Sequence, residues 1–75
     1  MALSTETSDT GTVDVVYNLV SILYHALQGA ETYEMYMDDA KQVGDDELVR
    51  FFRAAKNAES KRAEQARELL AARIK

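Results

Sequence analysis

Gln42-Val43-Gly44-Asp45-Asp46-Glu47-Leu48 is the stretch at which the chain turns back on itself. Glycine suits the left-handed residue that closes a helix, and Asp45 offers a carboxylate to cap the helix that follows. Asp46 and Glu47 then place negative charge at the positive end of that second helix. Working outward, helical patterns cover residues 12–43 and 46–74, with only Gly44 and Asp45 between them. No proline interrupts either pattern. Each predicted helix is about 45 Å long at 1.5 Å per residue. The expected fold is therefore all-α, a long antiparallel helical hairpin. Its first helix is expected to be capped by Thr10 or Thr12, with Asp14 in the first turn. Residues 1–11 read as a disordered N-terminal tail.

Residues placed at 100° intervals show what each helix is expected to bury. On the first, Val16, Leu19, Leu23, Ala26, Ala30, Tyr33 and Met37 form one stripe, predicted to face the second helix. Tyr17, Val20, Tyr24, Leu27 and Met35 run beside it and widen the apolar arc past half the circumference. The second helix offers Leu48, Phe51, Phe52, Ala55, Ala58, Ala66, Leu69 and Leu70. A hairpin has a single contact line, too little to bury so wide an arc in a 75-residue chain. Self-association follows as the expectation: a homodimer in which two hairpins build an antiparallel four-helix bundle.

Charge supports the hairpin. Residues 1–47 hold ten acids and one base, net −9, and residues 48–75 hold three acids and eight bases, net +5. Folding back sets an acidic helix beside a basic one. Because this pairing accounts for the bases, and no aromatic platform interleaves Arg50, Arg53, Lys56, Lys61 and Arg67, no nucleic-acid partner is expected. There are no cysteines, which excludes disulfides and thiolate metal sites. Residues 1–12 carry no Lys or Arg and no apolar core, so a signal or transit peptide is not expected. The apolar stretch Val13–Leu27 contains Asp14, Asn18, Ser21 and His25 and is shorter than the ~20 residues of a bilayer span. A cytoplasmic protein without a membrane partner is the expectation.

Glu59 and Arg62 break the apolar pattern of the second helix, three residues apart on one face. Charges on such a face ask for partners, and the simplest arrangement is a buried ion pair between them, assisted by Glu34. The sequence around them is Tyr33-Glu-Met-Tyr36-x-x-x-Ala40-x-x-x-Gly44, then Leu48-x-x-Phe51-Phe52 and Ala58-Glu59-x-x-Arg62-Ala63. Across roughly residues 19–70 it resembles half of a ferritin-like, rubrerythrin-type bundle. The resemblance implies a glutamate seven residues before Tyr33 and a Glu-x-x-His pair on the second helix. Glu59 matches the glutamate of that pair, whereas Arg62 stands at the histidine position and Ala26 at the first-helix glutamate position. A guanidinium in place of a metal ligand can supply part of the positive charge that a di-iron centre would give buried carboxylates. The expectation is a ferritin-like fold with a degenerate metal site replaced by an ion-pair network across a two-fold axis.

No nucleophile and base come together in the sequence, as the one histidine, His25, lies far from the stripe and no cysteine exists. Gly11, Gly29 and Gly44 stand alone, so no phosphate loop is present. The functional expectation is a non-enzymatic interaction or scaffold protein, with Tyr17, Tyr24 and Met35 facing an unidentified protein partner. The alternative is a small ferritin-like protein binding iron or manganese through Glu59 and Glu34 in a site assembled across the dimer. Glu31, Glu34 and Asp38 form a further acidic set that could in principle hold a cation.

Overall fold

The computed structural model describes residues 13–74, which form two α-helices, α1 (Val15–Gln42) and α2 (Asp46–Ala71), and no strand. The expected N-terminal tail and the caps Thr10 and Thr12 lie outside the described residues. Asp14 is the cap of α1: its φ of −138° is non-helical and its Oδ1 accepts from the Tyr17 amide at 2.9 Å. A carboxylate there satisfies a free amide and opposes the helix dipole at once, which places the start two to three residues later than expected. α2 ends at Ala71 rather than Ile74. Its last carbonyls are taken by the Ala72, Arg73 and Ile74 amides and by the Arg73 guanidinium, which donates to Leu69 O at 2.9 Å.

The turn is built by a Schellman pattern. Gly44 has φ +73°, the Asp45 amide donates to Ala40 O at 3.0 Å, and the Gly44 amide donates to Lys41 O at 3.1 Å. Asp45 immediately caps α2 by accepting from the Leu48 amide at 3.1 Å. Two helices joined by so short a link can only run antiparallel and in contact.

On α1 the contact line runs through Val16, Leu19, Leu23, Ala26, Ala30, Tyr33, Met37 and Ala40, all buried or half-buried. On α2 it runs through Val49, Phe52, Lys56, Glu59, Ala63, Ala66 and Leu70, likewise buried or half-buried. Both lines step by alternating threes and fours, the spacing that keeps a seam aligned between two helices. The α2 line corrects the sequence expectation. Leu48, Phe51, Ala58 and Leu69 are exposed, and Val49 and Ala63 take the inward places. The turn rotates α2 so that Val49, next to the capped first turn, points at Ala40 and Met37.

Among the described residues the buried side chains are few, and most are small: Ala26, Met37, Ala40, Val49, Ala63 and Ala66. At about 0.8 kcal/mol per buried carbon, the alanine methyls contribute little individually. Their value is geometric, because they let the helix axes approach. The turn end has more substance. Met37, Ala40 and Val49 cluster with Phe52 against them, and Phe52 meets Tyr36 edge to face at 5.5 Å and Phe51 at 5.7 Å.

Candidate functional site

The charged residues singled out in the sequence separate in the structure. Arg62 Nη1 donates to Glu59 Oε1 at 2.8 Å. The Glu59 side chain is 23% exposed and that of Arg62 50%, so this pair sits at the edge of the contact line. In the single chain no charged residue among those described is buried. Glu59 lies over Gly29, where an added Cβ would be 3.4 Å from its Cγ and 3.7 Å from its Cδ.

Glu34 does not assist that pair. It bonds instead to Lys56, across the helices, on the side where α1 is acidic and α2 basic. The hydrogen bond and charge of Lys56 hold the Glu34 carboxyl below the usual carboxylate range, with weaker help from Lys41 and Arg53. Glu34 and Glu59 thus have separate partners. Among the described residues no three histidine or acidic side chains are gathered where they could hold a metal ion, Glu31, Glu34 and Asp38 included. His25 is exposed on α1 with its ring edge-on to Tyr24 at 5.5 Å.

The apolar residues left uncovered fall on two flanks. Along the outer side of α1, Val13, Tyr17, Val20, Tyr24 and Leu27 step by fours and threes, with Tyr17 67% and Tyr24 61% exposed. Glu31 and Asp38 continue that line and make its second half acidic, with Met35 beside them at 59% exposure. The second flank spans both helices. Tyr36, Asp39, Ala40 and Val43 of α1 and Leu48 and Phe52 of α2 line one shallow open groove at the turn end, apolar but for the Asp39 carboxylate. Exposed Ile22 on α1 and exposed Phe51 and Leu69 on α2 extend the same side of the hairpin along its length. It lies across the contact line from the Glu34–Lys56 bridge.

Sequence reading missed this joint face, because it assigned Leu48, Phe51 and Leu69 to the intramolecular contact. The available signal was the second repeat on α2, Leu48, Phe51, Ala55, Ala58, Arg62, Gln65 and Leu69, which also steps by threes and fours. Among the described residues no helix is long and apolar enough to cross a membrane. Comparison with protein-family models, curated proteins and solved structures found no match to this chain.

Proposed function

We propose that the chain is a non-enzymatic interaction protein that self-associates, two hairpins forming a four-helix bundle of ferritin-like architecture. The observation that carries this reading is the size of the uncovered apolar side chains. Tyr17, Tyr24 and Phe51 are each more than 60% exposed, while among the described residues the single chain buries nothing larger than Met37. Apolar surface that continuous is characteristic of a protein made to be covered. In this reading one flank is used for assembly, and Tyr17, Tyr24 and Met35 remain for a protein partner. The Glu59–Arg62 pair, repeated by symmetry, supplies the bundle with charge pairs where a metal protein of this architecture would hold ligands. No observation in the single chain favours the iron or manganese reading.

Sedimentation equilibrium of the full chain tests the proposal. Twice the 8.4 kDa chain mass is expected at micromolar concentration. A species that remains monomeric up to about 100 µM, a concentration at which even weak specific dimers form, overturns it.

A further inference from the structure

We propose that a second copy of this chain covers the joint face, related by a two-fold axis perpendicular to the helices at the level of Gly29 and Ser60. α1 then lies antiparallel to the partner's α1, and α2 to the partner's α2. The inference rests on the self-association reading and adds to it the face, the axis and the register.

The level of the axis follows from contacts within one chain. Gly29 stands opposite Glu59, Glu34 opposite Lys56 and Tyr36 opposite Phe52, which fixes how positions on α1 correspond to positions on α2. An axis at Gly29 therefore meets α2 near Ser60. The exposed repeat on α2 is symmetric about that residue: Phe51 and Leu69 are each nine positions away, Leu48 and Ala72 twelve, Ala58 and Arg62 two. Rotation consequently brings Phe51 against the partner's Leu69, Leu48 against the partner's Ala72, and Arg62 against the small side of the partner's Ala58.

α1 obeys the same centre independently. Ile22 and Tyr36 are each seven positions from Gly29, and Val15 and Val43 each fourteen. All four are exposed on this side, and each meets an apolar residue of the partner. On the rim of α2, away from α1, Arg50 and Glu68 are exposed and neither belongs to an ion pair among the described residues. Lying ten and eight positions either side of Ser60, they come together twice in the dimer.

The opposite side fails the same test. About the same centre, Val20 would meet the partner's Asp38, Tyr24 the partner's Glu34, Leu27 the partner's Glu31, and Arg53 the partner's Arg67. Apolar groups would face acids, and a base would face a base. On the joint face the perpendicular axis matches the large apolar side chains Ile22, Tyr36, Phe51 and Leu69 with one another. Two helices about 40 Å long and 10 Å wide present on the order of 800 Å², the area each partner contributes to a stable dimer.

The chain has no cysteine, so introduced thiols report cleanly. In Phe51→Cys/Leu69→Cys the two thiols of one chain lie about 27 Å apart along one helix and cannot bridge. Mild oxidation is expected to give a covalent dimer whose mapped link joins position 51 to the partner's 69. Arg50→Glu is expected to weaken the unmodified dimer about tenfold at low salt, two like-charge contacts replacing two attractions, and Arg50→Glu/Glu68→Arg to restore it. A dimer that gives no such link and no charge-swap rescue overturns the register while self-association stands. Cross-linking between Tyr36→Cys and Phe51→Cys chains in a mixture would instead assign an axis parallel to the helices. A chain that sediments only as a monomer defeats both this inference and the reading it rests on.

Discussion

At the turn end of the hairpin, Met37, Ala40 and Val49 are buried with Phe52 against them, and the Glu34–Lys56 bridge ties the helices together. At the open end the buried positions are Ala26, Ala63 and Ala66, flanked by half-buried Leu19, Leu23 and Leu70. The one end buries a long thioether and a branched side chain and stacks aromatic rings. The other relies on methyl groups and leaves Val15, Tyr17 and Val20 largely uncovered. Stability inside the single chain is therefore concentrated next to the turn, and the open end depends on whatever covers its flanks. A chain that fully buried its own apolar residues would show no such gradient.

The sharpest way to break the contrast is to empty the stronger end. Met37→Ala removes the largest buried side chain among the described residues and should cost about 2–5 kcal/mol. In a hairpin this small, that abolishes cooperative thermal unfolding monitored by circular dichroism. Retention of a sharp transition would place the stabilising contacts elsewhere.

Ala63→Leu acts on the weaker end. Ala63 is 2% exposed, so added bulk must push the helices apart, costing about 1–3 kcal/mol. Amides of Leu19–Leu23 should then exchange with solvent faster while those near Met37 and Val49 stay protected. Uniform loss of protection would show the two ends to be one cooperative unit.

The smallest effect concerns the bridge. Glu34 has its folded-state pKa lowered by Lys56, so its contribution is complete above the unfolded value near 4.5 and is lost as pH falls through the lower folded value. Thermal midpoints should drop on acidification from pH 5 to 3, and Lys56→Met should reduce that drop. Equal acid sensitivity in both proteins would remove the bridge from the account of the turn end.

The pattern of legibility has a physical basis. The α1 contact line was readable because its inward residues are nearly all apolar and its opposite side carries Asn18, Ser21 and Gln28. α2 carries two interleaved repeats with three large apolar residues each, and the one with Leu48, Phe51 and Leu69 is left outside. Hydrophobicity distinguishes apolar from polar, but which repeat faces α1 is decided by the rotation the Gly44–Asp45 turn imposes. Lys56 and Glu59 occupy inward positions because Gly29 and the alanines opposite leave room for their stems, with the charged ends reaching water. Glu34 was legible as a charge partner, and its choice of Lys56 over Arg62 depended on that same rotation. The cap of α1 was misplaced because threonine and aspartate are both good caps and the sequence presents both within five residues.

The Schellman turn has a mechanical consequence. It is the only covalent join between two rods, and α1 extends about 42 Å beyond it at 1.5 Å per residue. It works as the fulcrum of a pair of tongs: a tilt of about 5° at Gly44 moves the far tips apart by about 4 Å over a lever of that length. The hydrogen bonds that the Asp45 and Gly44 amides donate to Ala40 O and Lys41 O set the stiffness of that fulcrum, and the gap between the tips is its amplified output.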